Sequence, residues 1–147
     1  MYAHHSYATI YEATDFLRFE PEFGRWTDLS VVQQEAALVS ATRKVDTRPM
    51  AGVKTDESQL LKFPRRGQST VPVAVKQAVI LEALASCDKE ATLRANLMAQ
   101  GVSSVHIGHA SESYTGANKK SALHELFISQ RAALLLKPYL RKGVPLV

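Results

Sequence analysis

Apolar side chains recur at helical spacing in several stretches of the chain, separated by segments rich in Pro and Gly. Thr9 with Glu12 three residues on forms a capping box, and Ile10, Ala13, Phe16 and Leu17 then share one face. This predicts a helix over residues 10–19, ended by Glu20-Pro21 because Pro disfavours helix at the residue before it. Residues 22–27 read as a loop whose Phe23 and Trp26 cover the core as a lid. Ser30 with Gln33 is a second capping box. Behind it Val31, Leu38, Ala41, Thr42 and Val45 mark a helix over 31–46. Pro72 suits a first helical position, and the run from Val73 is apolar on most of its circumference. It predicts a central, buried helix over 73–87, with room to continue towards Ala91. Residues 93–100 fit no single pattern. Val105 and Ile107 alternate with Ser104 and His106, and Ser111, Ser113 and Thr115 with Glu112 and Tyr114, which suggests short strands over 103–107 and 110–115. Ser129 caps a last helix carrying Ala132, Ala133, Leu135 and Leu136, and Pro138 is expected to kink or break it. Residues 47–71 show no period and hold Pro49, Gly52, Pro64 and Gly67; a loop of that length is functional or disordered. The expected fold is mainly α: a small helical bundle with a projecting β-hairpin or extended arm and a long loop.

Composition narrows the class but not the activity. With 147 residues, 46% hydrophobic and 22% charged, the chain fits one globular domain over 1–147 with one core. It has no apolar run near the ~20 residues that span a bilayer, so no membrane role is expected. The opening Met1-Tyr2-Ala3-His4-His5-Ser6-Tyr7 lacks the basic and apolar regions of a signal peptide. The single Cys87 excludes an internal disulfide and a multi-cysteine zinc site, which suggests folding in a reducing cytoplasm. A net charge of +4 is compatible with nucleic acid contact without being diagnostic of it.

Candidate catalytic groups do not assemble into a pattern. His4 and His5 are adjacent, so on a helix they would point in different directions. His106 and His109 have only Glu112 as a third ligand, and read as the polar face of a hairpin. Cys87 has Lys89 nearby, but its place at the end of an apolar helix favours a buried structural thiol. Asp56 and Glu57 lie in a loop with no partner base. Nucleotide-binding and hydrolase motifs are absent. No enzyme activity, no cofactor and no metal is expected. Basic pairs stand at Arg43/Lys44, Arg65/Arg66, Lys119/Lys120 and Arg141/Lys142. Binding of single strands wants aromatics interleaved with such charges, whereas the aromatics gather between Tyr2 and Trp26. The pairs are expected to be dispersed over the surface.

The order of short motifs along the chain carries more. Ser6-Tyr7-Ala8-Thr9 leads into Glu12-Ala13; Glu35-Ala36-Ala37-Leu38 is followed by Ala41-Thr42 and Asp46. Gln59-Leu60, Phe63-Pro64-Arg65, Val71-Pro72, Val75-Lys76 and Ala78 come next. Gly101-Val102-Ser103-Ser104, Ile107-Gly108, Ser113-Tyr114, Leu135-Leu136 and Pro138-Tyr139-Leu140 complete the set. In this order the chain resembles the head–tail connector (adaptor, or head-completion) proteins of tailed bacteriophages. Such sequences are also labelled DnaT-like single-stranded DNA-binding, a label the connector reading sets aside. The polar strand region and the long 116–128 segment depart from the pattern. The resemblance implies a virion protein of the neck, made in the bacterial host cytoplasm. It would form a ring, usually of twelve copies, between portal and tail, completing the filled head and providing the tail attachment site. The implied partners are other copies of the chain, the portal protein and a tail-completion or stopper protein. Genomic double-stranded DNA would pass through the lumen without sequence-specific binding. Phe63, Arg65, Val105, Ile107 and Tyr114 are the candidate subunit-interface residues. The end of the chain, 129–147, is expected to dock on the portal through Leu136, Tyr139, Leu140, Val144 and Leu146 rather than to complete the core. The bland alternative for that segment is that Leu135, Leu136 and Tyr139 close the bundle. The alternative for the whole chain is a single-stranded DNA-binding accessory protein using the basic pairs.

Overall fold

The computed structural model describes residues 5–100, 104–107, 110–113 and 127–142, the two middle stretches by their backbone. Helix α1, Ile10–Leu17, begins with the expected box: Thr9 Oγ1 accepts from Glu12 N at 3.1 Å and Glu12 Oε1 accepts from Thr9 N at 3.1 Å. It stops two residues short of the predicted end, and Glu20 N turns back to Leu17 O at 2.9 Å. The next segment is a short helix, α2, Phe23–Thr27, not a loop. Its Trp26 is fully buried, with Nε1 donating to Thr14 Oγ1 at 3.0 Å. Trp26 is therefore core rather than lid. Its own carbonyl accepts from Gln34 Nε2 at 3.0 Å, which fixes α2 to the next helix.

Helix α3, Val31–Val45, starts at the second capping box, Ser30 with Gln33. Leu38, Ala41, Thr42 and Val45 face inward, while Val31 and Val32 are exposed. Helix α4, Val73–Ser86, is the centre of the molecule. Val75, Ala78, Val79, Ile80, Leu81, Ala83 and Leu84 are all buried, as an apolar circumference requires. Pro72 sits one position earlier than expected, as the extended residue before the helix. Asp88 then opens a separate helix, α5, Lys89–Ala99, by accepting from Glu90 N and Ala91 N. This short acidic cap explains why the pattern after Cys87 was ambiguous: one helix ends and another begins within two residues.

Helix α6, Gln130–Leu136, is capped by Ser129, whose Oγ accepts from Ala132 N at 3.2 Å. Pro138 breaks it into a 3-10 turn, Lys137–Tyr139. Ala132, Ala133 and Leu136 are fully buried and Leu140 nearly so, with α6 packed along α4. The final helix thus completes the core, which corrects the expectation that it stands apart as a docking element. Six α-helices make the described chain mainly helical. Strands β1, Ser104–Ile107, and β2, Ala110–Ser113, pair antiparallel with Ser104 opposite Ser113 and Ile107 opposite Ala110. The link between them and their flanks lie outside the described residues. Two four-residue strands form no sheet layer, and the expected projecting β-hairpin or arm is not supported.

The long segment before α4 is ordered by its own backbone. Lys54 bridges Arg65, and Met50 bridges Leu140. Thr55 N donates to Pro64 O at 3.0 Å, Ala51 N to Tyr139 O at 2.9 Å and Arg141 N to Pro49 O at 3.1 Å. Gly52 has φ +77°, and a Cβ there would lie 2.6 Å from Arg66 Cγ, so only glycine fits.

Candidate functional site

Two features stand out where the long loop meets the helical body. The first is a buried polar relay. Tyr7 packs edge-on to Phe63, with ring centroids 5.7 Å apart, and Phe63 packs edge-on to Tyr139 at 5.8 Å. The Tyr7 hydroxyl donates to Asp46 Oδ1 and accepts from Phe63 N at 3.0 Å. Asp46 Oδ2 accepts from Lys62 N at 3.2 Å. Tyr7 N donates to Thr42 Oγ1 at 3.1 Å, so α3 holds both ends of the residue. Burial, then the bond to Asp46, pushes the phenol far above its ordinary value. Burial also raises the Asp46 carboxyl, against the opposing bonds from Tyr7 and Lys62 N.

The second feature is a shelf of cations. Arg65 donates from Nε to Ala51 O at 2.9 Å and from Nη1 to Lys62 O at 3.1 Å, and Nη2 reaches Gly52 O. Lys62 Nζ donates to Arg48 O at 2.7 Å, and Lys54 Nζ to Gln59 O at 3.3 Å. The Arg141 amide is tied to Pro49. Burial lowers the Lys62 amine; Asp46 opposes this, while the neighbouring charges of Arg65, Arg141 and Lys54 lower it further. These cations are held largely by carbonyl oxygens, so their charge is not cancelled. The Asp46 carboxylate interacts with Lys62 and Lys54.

Elsewhere several charges are paired. Glu82, fully buried on α4, accepts from Lys44 Nζ at 3.1 Å, Ile128 N at 3.1 Å and Ser129 N at 2.8 Å. One carboxylate thereby joins α3 and α4 to the first turn of α6. Lys76 meets Glu12 at 2.7 Å beside a groove of about 540 Å³ lined by Tyr7, Gln59, Leu61, Phe63 and Thr70. Arg131 meets Glu20 at 3.0 Å, and Arg25 lies between Glu22 and Asp88. Burial raises the Cys87 thiol, consistent with an unreactive side chain. Among the described residues, no three His, Cys, Asp or Glu side chains are grouped to hold a metal ion. No described helix is long and apolar enough to cross a membrane.

The expected interface residues fare unequally. Phe63 is buried and Arg65 is folded back on the loop, so both act within the subunit rather than on its surface. Leu136 and Leu140 are in the core, and Tyr139 is half-buried against Phe63, so none of the three is an outward docking side chain. Val105 and Ile107 lie in β1, described by backbone alone. Tyr114, Val144 and Leu146 lie outside the described residues, as do Lys119 and Lys120. Dispersal of the basic pairs does not hold for Arg65 and Arg141, which the loop brings together; Arg43 sits on α3 beside Val32, Glu35 and Val39. Arg48, Lys54 and Lys62 stand singly in the sequence and form no adjacent basic pair. Their signal was regional: residues 47–68 hold five Arg or Lys and two acids.

No curated protein and no solved structure matches the chain. A family model described as "Putative DnaT-like ssDNA binding protein" matches residues 2–145. That match takes in every described helix, the polar relay and the cationic shelf, and the chain belongs to this DnaT-like family.

Proposed function

We propose that the protein is a structural subunit of the phage neck that assembles into a ring between portal and tail. The observation that carries this reading is the form of the long loop. It is braced from beneath by Arg65 and by the bridges to Arg65 and Leu140, yet it turns Val53 and Leu60 outward at 74% and 72% exposure. An ordered loop that presents apolar side chains to water fits a contact with a second copy better than a solvent-facing connection. The motif set that resembles the connector proteins adds support. Tyr7, Asp46, Phe63, Arg65, Tyr139 and Leu140 come from distant stretches and meet in one network at the base of this loop. In this reading Val53 and Leu60 take the interface role first expected of Phe63 and Arg65. Twelve copies, the portal and the tail-completion protein remain the partners the resemblance implies.

A second reading, a single-stranded DNA-binding accessory protein, is favoured by the family description and by the cationic shelf. Assembly separates the two. Native mass spectrometry of the chain with a purified portal should show a multi-copy complex. The double variant Val53→Asp/Leu60→Asp should remain folded, because both side chains are exposed, and should lose that complex. A wild-type chain that stays monomeric with portal while binding an oligonucleotide would overturn the ring and favour the accessory protein.

A further inference from the structure

We infer that the outward face of α3 is a pairing surface for a second copy of this chain, the two helices lying antiparallel about a two-fold axis near Val39. Helix α3 buries Leu38, Ala41 and Val45 on one side. On the opposite side Val32, Glu35, Ala36, Val39, Ser40 and Arg43 line a depression of about 560 Å³. Val32 is 75% exposed and Val39 half-buried, so this face offers apolar surface to water. Ala36 and Ser40 are small and exposed, which lets a second helix approach closely. The charges on the face say what covers it. Glu35 and Arg43 lie four residues either side of Val39. They are about 12 Å apart along the axis, too far to meet each other within one helix. Neither makes an ion pair or a hydrogen bond among the described residues, whereas Lys44, the next residue on, is paired with Glu82 at 3.1 Å. An antiparallel copy reverses the order of the two charges, so Glu35 of each chain meets Arg43 of the other, once at each end of the contact. A parallel copy would set Glu35 against Glu35 and Arg43 against Arg43, which opposes it. A two-fold pair needs a self-complementary patch, and one acid and one base placed evenly about an apolar centre supply it. The contact spans about three helical turns, less than a permanent interface, so the dimer is weak and reversible. A closed two-fold contact also differs from the head-to-tail contact that builds a ring. The inference therefore does not rest on the neck reading, and it uses neither Val53 nor Leu60.

Analytical ultracentrifugation of the full chain, over a concentration series up to about 1 mM, tests this. The expected result is a monomer–dimer equilibrium with Kd between about 10 μM and 1 mM. Glu35→Arg and Arg43→Glu, each made alone, set like charges against each other at both ends and should weaken the dimer by about tenfold or more. An equimolar mixture of these two variants should associate again, because a face with two Arg then meets a face with two Glu. Recovery on mixing also shows that both variants are folded. The double swap Glu35→Arg/Arg43→Glu should dimerise as the parent does. Val32→Asp, at an exposed position, should weaken the dimer while leaving the melting temperature unchanged. Val53→Asp/Leu60→Asp should keep the dimer, so failure of the ring and failure of this pairing are read separately. A chain that stays monomeric throughout, or a dimer indifferent to Glu35 and Arg43, would overturn the proposal. So would two variants that do not recover on mixing, or loss of the dimer in the loop variant, the last assigning self-association to the loop instead.

Discussion

Tyr7 joins three parts of the chain through one side chain: its ring packs on the loop, its hydroxyl bonds Asp46 of the α3 end, and its amide bonds Thr42. Tyr7→Phe keeps the ring but leaves Phe63 N and an Asp46 oxygen without this partner. Orphaned buried groups cost about 1–3 kcal/mol, so the melting temperature should fall by about 3 °C for each kcal/mol lost. An unchanged melting temperature would mean that the relay adds nothing. Glu12 offers a test by pH. Burial alone would raise its carboxyl, but the bonds from Lys76 and Thr9 outweigh this and hold it below its ordinary 4.5. A depressed carboxyl contributes stability that is present above the ordinary value and lost as pH falls through the folded value. Glu12→Gln, which retains a capping oxygen, should therefore be less stable than the parent near neutrality, with the gap closing as pH falls from the ordinary 4.5 through the lower folded value. The raised Asp46 carboxyl acts in the opposite sense, losing stability as pH rises, but it is common to both proteins and cancels in the comparison. Chemical denaturation at several pH values checks this; a gap that persists in strong acid would assign the effect to lost packing instead. None of these partnerships was legible in the sequence, because Tyr7, Asp46 and Phe63 are related only through the closed fold. The capping role of Glu12 was legible, because it acts within one turn.

Among the elements, local signals decided what could be read early. Both capping boxes and the Ser129 cap appear where expected, each formed within three residues. The apolar run of α4 announced its burial for the same reason. The α4–α5 break was hidden because Asp88 caps a helix whose own apolar face is weak. The last helix was misassigned because its leucines exceed what one face can bury, which suggested a docking surface. The structure divides them: Leu136 goes to the core while Leu134 is exposed. Glu82 explains why this arrangement holds, since its carboxylate receives the amides of Ile128 and Ser129 and the ammonium of Lys44. Its partners lie 38 to 47 residues away, beyond any sequence period. Truncation after Ser129 should now unfold the protein, because it removes Ala132, Ala133, Leu136 and Leu140 from the centre of the bundle. A truncated chain that keeps its cooperative thermal transition would return the segment to a docking role. Removing the Glu82 carboxylate should also destabilise the fold, by about 1–3 kcal/mol, because the amides of Ile128 and Ser129 lose their buried acceptor.

At the scale of the whole molecule, the helices share one core and the loop over 47–71 packs against it through Met50 and Phe63. That loop exposes Val53 and Leu60 and carries Lys54, Lys62 and Arg65. Length and lack of period leave the loop either functional or disordered in the sequence, and its backbone bridges show it to be ordered. What it contacts was placed on Phe63 and Arg65 because they are the most conspicuous side chains there; both instead hold the loop to the body. The neck assignment is tested most directly by quantitative mass spectrometry of purified virions from a host carrying the gene. The account predicts the chain in the particle, in stoichiometric proportion to the portal subunit and near twelve copies. Complete, DNA-filled and tailed particles that lack the chain, with the protein recovered only from the lysate on single-stranded DNA, would contradict it.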